Sequence, residues 1–339
     1  MISRDLIPQE KLAAVTRGLR EAFGVTEFED ISKVTGGHTS SLVFRIVVRG
    51  APFLLKLIMR GKDSTTADHF TCIKGAADAG LAPRVWYTSI EDQLCITDFV
   101  EAARVPLAEA LIRLPRTLRA LHALPPFPTR EPDFNTTCTF LLNKRLPVDA
   151  FIRTFQAAGI VPVGECDELL ARNAQVAAAY RCWGADMVSS HNDLFKPDNI
   201  LFSGQRVWLV DWEAAFLNDR YADLAVVANL VVTNDSEEEI YLQEYFGQSP
   251  NEYQRARFFL MQQVTHMFYA AVFLQMGSAG EPVDLTDFPR RFWNGEVDLT
   301  DKRMKGIYGR FHWNRLLENM RQTRFDEALR IVADEHAHA

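Results

Sequence analysis

The side chains best suited to chemistry fall in two short segments, His191-Asn192-Asp193-Leu194-Phe195-Lys196-Pro197-Asp198-Asn199 and Val210-Asp211-Trp212-Glu213. Asp193 and Asp211 lie eighteen positions apart, and Asn199 stands between them at the start of an apolar run. That run, 199–203, and the next, 206–210, are split by Gly204-Gln205 and read as a small hairpin. An amide and a carboxylate flanking a two-stranded ribbon can converge on one hard cation, because Mg2+ takes oxygen ligands and keeps several waters. Asp193 can then orient and deprotonate a hydroxyl while the cation neutralises phosphate oxygens. This layout is that of a phosphoryl-transfer site.

The elements that must carry these residues follow from the hydrophobic pattern. Before residue 100, FEDISKV, SSLVFRIVV, PFLLKLIM, RVWYTSI and QLCITDFV are rich in β-branched and aromatic residues and predict five strands, with one helix from about Thr65 to Ala79. Gly36-Gly37, Gly50-Ala51-Pro52 and Glu91-Asp92 separate the strands. From Val105 the period becomes helical, with Leu107, Leu111, Leu114, Leu118 and Leu121 on one face and Pro115 expected to kink or divide the helix. Ser236 with Glu239 and Ser249 with Glu252 fit capping boxes; Pro250 fits a first helical position, and Gly247 and Gly277 fit stop positions. The fold expected is α+β and bilobal. Residues 1–100 form a β-rich lobe, joined near 98–104 to a mainly helical lobe of residues 101–339, with a cleft between them.

The composition excludes several classes. The chain has 339 residues, 47% apolar and 24% charged, which is globular in character and long enough to bury a large core without staples. Its net charge of −7 lacks the basic footprint of a nucleic-acid binder and weakly favours cationic ligands. The five cysteines, Cys72, Cys95, Cys138, Cys166 and Cys182, show no zinc or disulfide spacing. The N-terminal residues lack a signal-peptide core, so a cytoplasmic location is expected and the triplets at Asn135 and Asn234 carry no glycosylation meaning. Phe258 to Met276 is interrupted by Gln262, Gln263 and His266, and reads as a buried helix, not a membrane span.

HNDLFKPDNIL followed by LVDWEAA resembles the catalytic and metal-binding segments of the aminoglycoside phosphotransferase and choline kinase superfamily, relatives of protein kinases. The resemblance runs over residues 30 to 275 and implies a protein-kinase-like fold. It also implies ATP as co-substrate, Mg2+ as cofactor and a small-molecule acceptor as the partner, with the chain acting as monomer or homodimer. By resemblance, Asp193 is catalytic, Asn199 and Asp211 hold the metal, and the turn Gly36, Gly37, His38, Thr39 and Ser40, continuing into Ser41, covers the nucleotide phosphates. Lys56 in FLLKLI grips those phosphates, and the hinge about Asp98, Phe99, Val100 and Glu101 receives adenine through its backbone. His191 braces the catalytic loop, and Leu121-His122 matches a pair preceding the substrate region. DWEAAFLNDRYADLA is similar to choline and ethanolamine kinases, which carry D-x-E and then N-x-R-x-x-D, here Asn218, Arg220 and Asp223. An amine acceptor calls for aromatic faces and carboxylates, with Glu213, Trp212 and Tyr269 as substrate candidates beside Tyr241, Trp293 and Trp313.

The chain departs from the family pattern at three points. Five residues, Leu194 to Asp198, stand where relatives usually have four, so either the loop bulges or Asp198 takes part beside Asn199, which is taken as the metal ligand. Near the position of the usual helix glutamate the chain offers Asp68 or His69, leaving the partner of Lys56 open. The glycine turn carries His38, Thr39 and Ser40, whose hydroxyls and amides can still bind phosphate. Blander readings stand beside these: a snorkelling Lys56, a plain Gly36-Gly37 hairpin, core aromatics, and Asp223 as a hydrogen-bonded brace of the helical lobe. The remaining alternatives to an amino-alcohol kinase are an aminoglycoside phosphotransferase and a nucleotide-binding homologue without catalysis.

Overall fold

A computed structural model describes residues 6–34, 41–59, 65–101, 103–129, 148–157, 159–181, 184–204, 206–278 and 284–338. The turn residues Gly36, Gly37, His38, Thr39 and Ser40 lie outside the described residues, as do Asn135, Cys138 and Cys182. The chain divides into two compact units, one of Met1–Arg104 with Asp198–Ala215, the other of Val105–Pro197 with Phe216–Ala339. The 198–215 hairpin segment therefore groups with the N-terminal strands.

In the first unit, helix α1 (Leu12–Phe23) precedes β1 (Asp30–Lys33), β2 (Ser41–Val48) and β3 (Ala51–Ile58). Helix α2 (Thr65–Asp78) and strands β4 (Val85–Ser89) and β5 (Leu94–Asp98) follow. The five strands form one antiparallel sheet in the order β1-β2-β3-β5-β4. The β2–β3 turn is tighter than Gly50-Ala51-Pro52: Arg49 and Gly50 both have positive φ, and Ala51 already pairs with Val48. Strand periodicity sorts β3 into two faces. Phe53, Leu55 and Leu57 enter a core with Phe44, Ile46, Leu94, Ile96 and the α1 residues Val15 and Leu19, which leaves Lys56 on the other face, in register with Val43 and Cys95.

Strands Ile200–Ser203 and Arg206–Leu209 form the expected hairpin, and Ala103–Arg104 adds a third strand beside the first of them. Leu209 donates its amide to the Leu81 carbonyl and Arg206 donates to that of Gly80, tying the hairpin to the end of α2.

The second unit is helical: α3 (Leu107–His122), α4 (Val148–Ala157), α5 (Val163–Ala179), α6 (Arg220–Val231), α7 (Asp235–Phe246) and α8 (Glu252–Met276), then α9 (Phe288–Trp293), α10 (Lys302–Met320) and α11 (Thr323–His338). Strands Met187–Ser190 and Phe216–Asp219 pair antiparallel among them. Helix α3 runs through Pro115 without division. The helix starts differ from the serine-based expectation. Asn234 caps α7 by accepting the Glu237 amide, and Asn251 forms a reciprocal capping box with Gln254 on α8, so Pro250 precedes the helix. Asparagine supplies the cap oxygen, which shifts both boxes away from the serines. Gly247 ends α7 in the left-handed region, as expected.

Helix α8 is buried along most of its length, including Arg257, Gln263 and His266, and no described helix is long and apolar enough to cross a membrane. Arg257 is held at 2.6 Å by Asp219, which also accepts from the Tyr180 hydroxyl, so the buried charge is paired and hydrogen-bonded. Helix α10 approaches α8 through Gly309, where a Cβ would lie 2.6 Å from the Leu274 amide nitrogen. Gly309→Ala must therefore push the two backbones apart. An overpacking cost of about 1–3 kcal/mol is expected in urea unfolding, and an unchanged unfolding midpoint would contradict this close approach.

Candidate active site

On the sheet face opposite the α1 core, the Lys56 ammonium lies 2.9 Å from Asp211 Oδ1 and 2.7 Å from Glu213 Oε1. Asp211 ends the hairpin in a left-handed conformation (φ 67°), and Trp212–Ala214 follow as a single 3-10 turn. That reversal brings the carboxylates of residues 211 and 213 to the same ammonium while Trp212 is fully buried, its indole N–H donating to Leu209 O. The Ser41 hydroxyl, at the start of β2, donates to Glu213 Oε1 at 3.1 Å. Burial pushes the Lys56 ammonium towards losing its proton; Asp211 and then Glu213 outweigh it and hold its pKa above the ordinary lysine value. The acids on Lys56 thus come from the segment after the hairpin, where the sequence offered Asp68 or His69.

A cavity of about 320 Å³ opens beside these groups, lined by Lys56, Asn199, Asp211 and the hinge residues Asp98, Phe99 and Val100. Its remaining wall is largely apolar, including Val34, Val43, Leu54, Ile73, Leu201 and Val210. Apolar walls with a few convergent polar groups are the usual form of a small-ligand site. The Asp98 side chain accepts from Trp86 Nε1 at 2.6 Å. Burial pushes the Cys95 thiol up to about 12, which keeps it protonated and unreactive.

Among the described residues no three His, Cys, Asp or Glu side chains cluster as a metal site. Mg2+ requires less protein, commonly one or two carboxylates completed by phosphates and waters. Asn199, which is buried, and Asp211 are both hard oxygen donors lining the same cavity, and this donor set fits Mg2+. Asp198 lines the same cavity and is exposed and ion-paired with Arg104.

In the helical unit, the loop holding Asp193 is fastened from below. The buried Asp223 carboxylate accepts the His191 amide at 2.7 Å and the Asn192 amide at 2.8 Å, and its Oδ2 lies 3.4 Å from His122 Nε2. Although burial opposes ionisation, hydrogen bonding and charge from His122, with help from His191, keep the Asp223 pKa below the usual carboxylate value. Asn192 takes a positive φ of 65°, and Asn218 donates to its side-chain oxygen at 2.7 Å. The His191 ring nitrogen Nδ1 accepts from the Asp193 amide at 3.3 Å. Asp193 projects beyond this brace, 3.4 Å from Lys196 Nζ.

Two of the substrate candidates stand elsewhere than expected. Glu213 is on Lys56, and Trp212 is core, because its ring and its only donor are both enclosed. Tyr241, Trp293 and Trp313 are also buried, with their polar atoms bonded to Leu224 O, Val105 O and Glu165 respectively. Tyr269 belongs to an aromatic cluster with Phe195, Phe273 and Tyr308. Burial, with the Asp193 charge adding to it, raises the pKa of both tyrosine hydroxyls. Phe195 and Lys196 lie in the first of the two polar segments without a role of their own in the sequence pattern, and nothing in the pattern of α10 singles out Tyr308.

Behind this cluster His266 and His312 face each other with Nδ1 atoms 2.7 Å apart, a distance that requires one shared proton. Burial, reinforced by Arg315, lowers the His266 pKa to about 3, and burial also lowers that of His312. The unfolded chain takes up protons at both positions near pH 6.5 while the folded chain does not, so stability is complete above pH 6.5 and falls as the solution is acidified. Between pH 6.5 and 5 the expected loss is about 1.4 kcal/mol per pH unit for each histidine that stays neutral. Urea unfolding at the two pH values measures it, and equal free energies would overturn the neutral pair.

The sequence profile of the phosphotransferase enzyme family APH matches residues 30–259. A search of curated proteins finds no match. Among solved structures, a choline/ethanolamine kinase family protein from Mesorhizobium loti is 19% identical and superposes with a TM-score of 0.64, over 96% of this chain and 99% of that one. A choline kinase from Cryptosporidium parvum is 10% identical, with a TM-score of 0.58 over 90% and 92% of the two chains. A spectinomycin phosphotransferase solved with ADP and spectinomycin is 13% identical, with a TM-score of 0.52 over 88% and 98%. At these identities the likeness is one of fold, and it agrees with an antiparallel sheet unit followed by a helical one. Because the profile covers more than half of the sequence, from β1 through both motif segments into α8, the chain belongs to the APH phosphotransferase enzyme family.

Proposed function

We propose that this small-molecule phosphotransferase moves the γ-phosphoryl group of Mg-ATP to the hydroxyl of a small amino alcohol of the choline or ethanolamine type. The observation that carries this reading is the convergence of Lys56, Asp211 and Asn199 on one cavity whose other wall is the hinge Asp98, Phe99 and Val100. Adenine fits the apolar part and takes its hydrogen bonds from the hinge backbone. Lys56 binds the nucleotide phosphates. Asn199 and Asp211 would hold the cation, which when bound neutralises charge on the β- and γ-phosphate oxygens.

Asp193 orients the acceptor hydroxyl and takes its proton as the oxygen attacks the γ-phosphorus; the bond to the bridging oxygen breaks and ADP leaves. Asp223 and His191 act through the loop, fixing Asp193 without touching substrate. The amine-bearing acceptor is supported by the run Asp211-Trp212-Glu213 followed by Asn218, Arg220 and Asp223, which is similar to the pattern of choline and ethanolamine kinases. Names given to similar folds, choline/ethanolamine kinase and choline kinase, agree with that chemistry.

Asp193→Asn is expected to lower kcat by about 100- to 10,000-fold while nucleotide affinity stays nearly intact, whereas Asp211→Ala should weaken Mg-dependent ATP binding. Full turnover by Asp193→Asn would remove its role. For the acceptor, ADP release is to be followed with ATP, Mg2+ and a panel of amino alcohols, aminoglycosides and sugars. The highest kcat/KM is expected with choline or ethanolamine; a higher value with an aminoglycoside would overturn the acceptor assignment and leave the kinase chemistry standing.

A further inference from the structure

We infer that Glu213 is a positioning residue for Lys56, taking the part of an acid supplied by a helix and freeing Asp211 to serve a cation. The inference rests on the nucleotide role proposed for Lys56. Lys56 reaches two carboxylates at almost equal distance, 2.9 Å to Asp211 and 2.7 Å to Glu213. A lone lysine beside a lone metal-binding aspartate would lose its one ion-pair contact whenever a divalent ion claimed that aspartate, and nothing would then hold its side chain in place. Glu213 removes this conflict. It is hydrogen-bonded by Ser41 as well as by Lys56, so its carboxylate links the start of β2 to the middle of β3.

The local sequence gives this acid little freedom to do anything else. Asp211 lies in the left-handed region, and the 3-10 turn that follows buries Trp212 and ties its N–H to Leu209 O. With Trp212 anchored, Asp211 and Glu213 are presented together to Lys56. A helix-borne partner is not seen: among the described residues, the acids paired with Lys56 are these two.

The test is a double-mutant cycle read by equilibrium binding as well as turnover. ADP affinity is measured by calorimetry in EDTA and again in Mg2+, for wild type, E213Q, E213D, K56M and K56M/E213Q, with thermal unfolding to confirm that each is folded. A charge-assisted hydrogen bond to a buried group corresponds to about 10- to 100-fold in affinity. E213Q should weaken metal-free ADP binding by about that factor. E213D, which keeps the charge and binds at arm's length, should recover part of the loss and keeps the test alive if E213Q does not fold.

In the K56M background E213Q should add no further loss, because a residue that acts through lysine has nothing left to act on. Further loss in that background, or an E213Q defect seen only as a higher Mg2+ requirement, would overturn the inference while leaving the proposed function in place. K56M binding ADP as wild type would overturn the nucleotide role of Lys56 and the inference with it.

Discussion

The first unit is organised around a half-buried ammonium that is held charged. Removing a lysine from water costs more than a typical hydrogen bond returns, unless opposite charge is supplied at contact distance. Here the supply comes from 155 residues away in sequence, through Asp211, and two residues further on through Glu213. Several local features serve this one requirement. Strand alternation in β3 sends Lys56 to the face opposite Phe53, Leu55 and Leu57. The hairpin is fastened to the end of α2 by Leu209 and Arg206, and the left-handed Asp211 turns the chain so that its carboxylate returns to the sheet.

A comparable constraint governs the loop of the second unit. Consecutive amides at His191 and Asn192 leave the Met187–Ser190 strand and need acceptors in a buried setting. Asp223 on the first turn of α6 satisfies both with one carboxylate, and His122 on α3 lies against that carboxylate in turn. Asn192 then occupies the left-handed region, which asparagine tolerates better than most residues, with Asn218 bonded to its side chain. The outcome is a loop whose base is rigid and whose next residue, Asp193, remains partly exposed. Preorganised groups of this kind need no rearrangement at the moment of reaction.

Much of this was readable in the sequence because motif spacing and period-2 alternation are local signals. The strands around Lys56, the 200–209 hairpin, and the grouping of Asn199 with Asp211 are local or nearly so, and the structure reproduces them. For Asp223 the sequence offers a hydrogen-bonded brace only as the blander reading, and the carboxylate accepts the His191 and Asn192 amides. The partner of Lys56 did not follow from the pattern, because a pairing across 155 residues depends on φ at Asp211, which no residue type announces. Glu213 and Trp212 stand apart from the sequence expectation for the same reason: an aromatic and an acid directly after Asp211 suggest a cation cage until the 3-10 turn shows which of them faces inward. The cap shifts at Asn234 and Asn251 have a simpler origin, since several residue types can accept the same amide.

The partition of the chain adds a structural reason for the compactness of the motif. The backbone leaves the helical unit between Pro197 and Asp198 and returns to it between Ala215 and Phe216. Among the described residues, both acids paired with Lys56 therefore lie in an excursion of eighteen residues, while the loop ending in Asp193 and the aspartate that braces it lie on either side of that excursion. Each unit satisfies its own buried polar groups: Lys56 with Asp211 and Glu213 in one, Asp223 with the His191 and Asn192 amides in the other. An excursion this short cannot form a core of its own, so it must take its packing from the N-terminal sheet and α2. That explains why the residue between the two acids is a tryptophan buried to its last atom: the same turn that presents the carboxylates has to be held down by the largest apolar side chain available.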